Sequence, residues 1–228
     1  MDNRYYFSQL NNNTVIIDGQ EAQHLSKVRR AKVGDEIVAF NGDGFDYHLT
    51  ISAISKDKVQ CEIKQKLKNK ATDESNITVY LSMIKNDALT TAIDNLAELN
   101  VKHVKLFKSD YSVAVIDEKK LEKLRNIAIQ ASKQCERADI MQISIIDKNK
   151  IKDDNKNIFF AYENSNNKIE NFIGDFAVII GPEGGFSDKE NEYFSTFAKN
   201  ISLGKTILRA EVACVSAVSM LKAVSYEG

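Results

Sequence analysis

The stretch Gly181-Pro182-Glu183-Gly184-Gly185-Phe186-Ser187-Asp188-Lys189-Glu190 decides how this chain is read. Before it runs Phe176-Ala177-Val178-Ile179-Ile180, apolar and bounded by Asp175 and Gly181, which reads as a buried strand. After it, Ser187 and Glu190 stand at capping-box spacing, so a helix is expected to start there. Pro182 is the only proline in the chain and stiffens the corner. Gly184 and Gly185 permit positive φ and a close approach to bare backbone. A strand-to-helix turn without a ligand is the plain alternative. Three features favour a ligand site. Glu183 places a charge inside the corner. A second apolar corner, Ile201-Ser202-Leu203-Gly204, follows within about 20 residues, as in a single αβ unit. Open α/β sheets hold ligands at the carboxyl ends of their strands.

The second corner continues as Leu203-Gly204-Lys205-Thr206-Ile207-Leu208-Arg209-Ala210-Glu211. Together the two stretches resemble the SPOUT class of RNA methyltransferases, and most closely the RsmE family. That family's motifs run Gly-Pro-Glu-Gly-Gly-hydrophobic-Ser-x-x-Glu and Leu-Gly-x-x-Ile-Leu-Arg-x-Glu. The resemblance implies S-adenosylmethionine as cofactor and methylation of uridine N3 in 16S ribosomal RNA of the small subunit. It implies a SPOUT-type α/β knot, a parallel sheet with a trefoil knot, preceded by a small PUA-like β-barrel. Alternatives are a SPOUT enzyme acting on another rRNA or tRNA position, and a non-catalytic RNA-binding module of the same fold.

Composition sets the bounds. The 228 residues suffice for one small and one medium domain. Hydrophobic residues make up 43% and charged residues 28%, and the net charge is −1. Any basic surface for nucleic acid must therefore be local. Three cysteines, Cys61, Cys135 and Cys214, lack metal-type or redox-type spacing, which suggests reduced thiols in a cytoplasmic protein without a metal. No apolar run approaches the ~18 residues of a membrane helix, and the start lacks a signal-peptide pattern.

Residues 1–70 read as β-rich, with short runs at 14–17, 36–40, 47–51 and 58–63 separated by turn residues. Gly42-Asp43-Gly44 reads as a hairpin turn, since Tyr47 occupies the third glycine of a dinucleotide fingerprint. Within this part lies a basic segment with His24, Lys27, Arg29, Arg30 and Lys32. Leu25, Val28 and Ala31 recur every three residues, so a short helix would turn the basic residues outward. The segment is either a solvated face or a phosphate-contacting patch. The resemblance matches its His-Leu-x-x-Val-x-Arg pattern to RNA binding, whereas His24 alone also suits a structural, hydrogen-bonded role. Lys64, Lys66, Lys68 and Lys70 alternate and would share a strand face.

Residues 71–76 read as a linker, and 77–228 as alternating strands and helices, hence a parallel sheet covered by helices. A helix with Leu89, Ala92, Ile93 and Leu96 on one face takes Asp87 as its N-cap. The last helix, about 211–225, is apolar almost all round and reads as buried on all sides, in part against a second copy in a homodimer. Gly204-Lys205-Thr206 imitates the end of a Walker A loop, but Lys199 stands where its first glycine must be.

By the resemblance, backbone at Ile180, Gly181, Glu183, Gly184 and Gly185, and at Leu203, Gly204, Ile207 and Leu208, cradles the cofactor. Arg209 stabilises charge near the target, or else pairs with Glu211 or Glu183. Glu211 serves as a base or orients Arg209. Lys85 and Arg137 match RNA-facing positions, or are simply exposed. The sequence departs from the family pattern at Thr206, Ala210, Asn95, Asn100 and Lys133, which leaves the exact target open.

Overall fold

Alternation of apolar and polar residues builds the first half of the structure. The computed structural model describes residues 4–72, 74–112, 114–154 and 156–226. The chain forms two compact units: residues 1–73 with 129–140, and residues 74–128 with 141–228.

The first unit contains β1 (Arg4–Tyr6), β2 (Gln9–Asn11), β3 (Thr14–Asp18), α1 (Gly19–Gln23), β4 (Glu36–Phe40), β5 (Phe45–Ile54) and β6 (Lys58–Lys68). They form one six-stranded sheet in the order β1-β4-β5-β6-β3-β2. Only the β1–β4 pair is parallel. In β3, Val15 and Ile17 point into the core while their neighbours are partly open, as a half-buried strand requires. Register shifts between His48 and Leu49 and between Ile51 and Ala53 bend β5 and curl the sheet. Tyr5, Phe7, Ile17, Leu49 and Val59 fill its interior. Burying each such side chain is worth roughly 1.5–3 kcal/mol.

The basic segment departs from the expected helix. After α1, residues His24–Val28 form a π-helical turn, with Arg29 N–H donating to the His24 carbonyl at 3.0 Å. The wider turn rotates the three-residue spacing out of register. Leu25 remains buried and Ala31 partly so, but Val28 is 68% exposed. Lys27, Arg29, Arg30 and Lys32 are all exposed, and Arg30 adopts a left-handed φ of 53°. His24 is half-buried, and among the described residues its Nδ1 has no hydrogen-bond partner.

Residues 129–140 belong to this unit, which periodicity did not signal. Lys133 donates to Glu21 at 2.7 Å, and Asn69 Nδ2 donates to the Glu136 carbonyl at 2.9 Å. Arg137, matched above to an RNA-facing position, is instead fully buried at 0% exposure. Its Nε donates to Asp139 Oδ1 at 3.0 Å and a second nitrogen to Oδ2, a two-pronged pair. A guanidinium so enclosed is a structural cation, not a surface contact.

The second unit contains β7 (Thr78–Ser82), α2 (Asn86–Glu98), β8 (His103–Phe107), α3 (Glu118–Gln134, whose last turns join the first unit), β9 (Gln142–Ile145), β10 (Asn157–Ala161), β11 (Phe172–Ile173), β12 (Phe176–Ile180), α4 (Asp188–Ser195), β13 (Lys199–Ile201), α5 (Ala210–Val224) and β14 (Ser225–Tyr226). Its six-stranded sheet runs β13-β10-β12-β7-β8-β9, parallel throughout. β7 and β12 are buried at every residue, as central strands covered on both faces must be. β11 and β14 pair separately, tying the end of the chain to residues 172–173.

Two expectations need correction. Asp87 lies inside the first turn of α2; Lys85 holds the N-cap position, without a side-chain cap. α5 is not buried on all sides of this chain. Cys214, Ala217, Val218 and Leu221 are buried, but Val212 and Met220 are 45% and 39% exposed. Among the described residues no helix is long and apolar enough to cross a membrane.

Removing a partner from a buried ion pair leaves an uncompensated charge. Arg137→Ala is therefore expected to lower unfolding stability by roughly 3 kcal/mol, read as a reduced urea midpoint at unchanged slope. An unchanged midpoint would show that the Arg137–Asp139 pair contributes nothing to the fold.

Candidate functional site

A cleft of about 130 Å³ lies at the carboxyl ends of three adjacent strands, β13, β10 and β12. Ile180, Gly181, Pro182, Gly185 and Phe186 supply one wall, and the loop Leu203–Leu208 the opposite one. Ala161, Tyr162 and Glu163 at the end of β10 close one side. Asn191 of α4, with Ala210 and Ala213 of α5, completes the lining.

The corner after β12 is held by hydrogen bonds and by aromatic packing. Gly185 N–H donates to the Pro182 carbonyl at 2.9 Å, closing a tight turn, and Gly185 has φ +72°. Of the glycine pair, only Gly185 uses the left-handed region. Gly181 contributes in another way, by leaving room for an aromatic ring. A Cβ there would lie 3.0 Å from the Phe186 ring. Phe186 in turn packs on Phe194 and Phe160, at 5.0 and 5.4 Å between ring centroids.

Ser187 and Glu190 form the expected capping box at the start of α4. Glu190 does more than cap. It is 2% exposed, and its Oε1 accepts from Asp110 N–H at 3.0 Å and from Lys148 Nζ at 2.7 Å. Lys148 also reaches Asp110 at 2.9 Å, and Ser187 Oγ donates to Asp110 at 2.6 Å. The Ser187 and Lys148 hydrogen bonds hold Asp110 below its usual carboxylate range. Burial opposes the charged form of Lys148, but its bonds to Glu190 and Asp110 prevail and raise its pKa. Asp110 thus adds stability that is complete above pH 3.8 and lost as pH falls through its lowered native value. Lys148 adds stability that is complete below pH 10.5 and lost as pH rises through its raised native value.

Seven of the nine residues expected around a cofactor line the cleft: Ile180, Gly181, Gly185, Leu203, Gly204, Ile207 and Leu208. Glu183 and Gly184 do not. Glu183 is exposed and its Oε1 accepts from Lys85 N–H at 3.2 Å, so it tethers the start of α2. Gly184 faces Tyr111, whose Cβ would lie 3.6 Å from an added Cβ. Lys85 itself is exposed beside that tether. Tyr162, Glu163 and Asn191 were missed, although the end of β10 had to lie beside the end of β12 in a parallel sheet.

Arg209 is the N-cap residue of α5, exposed, and among the described residues its guanidinium has no partner. The pairing with Glu183 or Glu211 is absent. Its neighbours Leu208 and Ala210 line the cleft. Glu211 is half-buried in the first turn of α5. Burial pushes the Cys61 and Cys214 thiols up to about 12, which makes both poor nucleophiles. Among the described residues, no group of three or more His, Cys, Asp or Glu is placed to hold a metal ion. A wider recess of about 890 Å³ opens at the amino ends of the strands. There Tyr80 donates to Asp154 and Lys156 to Thr78, both at 2.6 Å.

Residues 71–222 match the model of an RNA methyltransferase domain, and residues 17–64 that of an RNA methyltransferase PUA domain. The ribosomal RNA small subunit methyltransferase E of Rickettsia conorii is 30% identical, over 96% of this chain and 95% of its own length. The chain belongs to this family. The same-named enzyme of Bacillus subtilis is 30% identical over 94% of this chain and 90% of its own. A Legionella pneumophila methyltransferase solved with the bound cofactor SAM superposes with a TM-score of 0.86, at 25% identity over 98% of both chains. The expected architecture, a PUA-like β-rich unit and a SPOUT-type α/β unit, is therefore the one present.

Proposed function

We propose that the chain transfers the methyl group of S-adenosylmethionine to N3 of a uridine in small-subunit ribosomal RNA, and does so in the cytoplasm. The observation that carries this reading is the cleft itself. The two motif segments, which follow β12 and β13, face each other across the carboxyl end of the intervening β10, in a chain whose family is named for that substrate class.

The residues present fit the cofactor. Gly204 has φ +124° and a Cβ there would meet nothing within 4 Å, so its side of the cleft is left open by the missing side chain. Leu203, Ile207, Leu208, Ala210 and Ala213 offer apolar contacts for a purine ring, while the turn at Pro182–Gly185 presents backbone. When bound, S-adenosylmethionine supplies the electrophilic methyl on a sulfonium. The chain's own work is to orient it, to accept the N3 proton and to stabilise the uracil anion. Arg209, exposed between the cleft-lining Leu208 and Ala210 and without a partner among the described residues, suits the last task. Glu211 suits the second, directly or through water, and equally suits orienting Arg209.

The exposed basic residues Lys27, Arg29 and Arg30 are assigned to RNA backbone, with His24 and Lys85 as further contacts. The exposed Val212 and Met220 on α5, with Ile207 at 85% exposure, are assigned to a homodimer interface.

Unmethylated small subunits and naked RNA are to be incubated with the enzyme and labelled cofactor, then digested to nucleosides. Label is expected in a uridine methylated at N3. Arg209→Ala is expected to lower turnover by roughly 100-fold with little change in cofactor affinity. Label in a guanosine or a ribose would replace the target but keep the enzyme class. Cofactor binding without label in any RNA would leave only an RNA-binding module.

Removal of Arg29 and Arg30 is expected to weaken RNA binding and to reduce the slope of log affinity against log salt by about 1 per lost phosphate contact. An unchanged slope would make the segment a solvated face. Sedimentation equilibrium is expected to report twice the 25.6 kDa chain mass. A monomer at micromolar concentration would contradict the dimer.

A further inference from the structure

Among the described residues, Glu163 is the one acidic side chain that lines the cleft, and Lys205 the one basic side chain. Glu163 follows β10 at the carboxyl end of the sheet. A Cβ placed on Gly185 would lie 3.9 and 4.0 Å from its two carboxylate oxygens, so the carboxylate sits over the bare turn of the corner. Among the described residues it has no hydrogen-bond or ion-pair partner. The capping, tethering and packing of the corner are done by other groups: Glu190, Glu183 and Phe186. Glu163 therefore presents an unneutralised negative charge to whatever occupies the cleft.

The proposed reaction changes the charge of that occupant. In the transfer the carbon–sulfur bond breaks and its electron pair stays on sulfur. The lone pair of the deprotonated uracil nitrogen forms the new nitrogen–carbon bond. The cofactor enters with a sulfonium and leaves as a neutral thioether, one positive charge poorer, with its ammonium, carboxylate, ribose and adenine unchanged. We propose that the Glu163 carboxylate is a specificity-determining group that favours the sulfonium cofactor over its thioether product. This rests on the reading of the cleft as the cofactor site. A full negative charge close to the changing centre distinguishes the two forms, whereas the backbone and apolar lining contacts parts common to both. The consequence is a cleft that prefers to be loaded and releases its product once the charge is spent.

The test is calorimetric titration of the full chain with S-adenosylmethionine and with S-adenosylhomocysteine, for wild type, Glu163→Gln and Glu163→Lys. Glu163→Gln keeps the shape and removes the charge. It is expected to weaken cofactor binding about fivefold, the upper scale of one charge pair at an exposed site such as that of Glu163, and to leave product binding nearly unchanged. Glu163→Lys is expected to push the affinity ratio further toward the product. Added salt is expected to shrink the wild-type preference, because exposed charges are screened. Equal weakening of both ligands would show Glu163 bonding a group they share, and would overturn the proposal. Unchanged affinities would overturn it as well. Failure of wild type to bind either ligand would instead overturn the reading of the cleft. Circular dichroism of each variant separates these outcomes from misfolding.

Discussion

The buried carboxylate of Glu190 is the point at which the walls of the cleft are fixed. It takes the Ser187 N–H at the start of α4, the Asp110 N–H from the loop after β8, and the Lys148 ammonium from the segment after β9. A carboxylate 2% exposed is costly to bury, and only such a set of donors makes it tolerable. Having three donors from three chain segments, it allows few positions for the corner. Phe186 packs against Phe194, Phe160 and Phe107, with no side chain at Gly181 to crowd its ring. The corner is held by Glu190, by this aromatic packing and by the exposed Glu183, which tethers it to α2. The turn at Pro182–Gly185 leaves backbone to face a ligand.

Much of this was legible because it is local. The apolar run at 176–180 could only be a covered strand, and the Ser187–Glu190 box is an interaction between near neighbours in sequence. The finer placements were not legible, because each is set by a hydrogen bond or a turn geometry that residue spacing does not display. Glu183 sits in the motif, yet its carboxylate turns to Lys85, 98 residues away. Two adjacent glycines do not reveal which of them bears the positive φ; the hydrogen bond from Gly185 to Pro182 does. Arg137 matched a family position, but Asp139 two residues on captures it in the interior. The basic segment had the composition of an exposed helix, and the π-turn then moved Val28 outward. Strands of two or three residues, such as β1, β11 and β14, carry too few side chains to show a period.

The two units divide the labour by chemistry. The first exposes the basic side chains Lys27, Arg29, Arg30 and Lys32 on and after its π-turn, which suits a polyanion whose sequence need not be read there. The second supplies a small, mostly apolar cleft with one carboxylate and one ammonium, which suits a compact charged cofactor. A net charge of −1 for the whole chain is consistent with both, since each surface is local. Arg209 is exposed at the start of α5, between the cleft-lining residues Leu208 and Ala210.

Where S-adenosylmethionine binds is read by titrating it into isotope-labelled protein and following the backbone amide resonances. A cofactor held between the two motif segments gives saturable shifts concentrated at Ile180, Gly181, Gly185 and Leu203–Leu208. Shifts confined to the recess around Tyr80, His103 and Lys156, or no saturable shift at all, would contradict it.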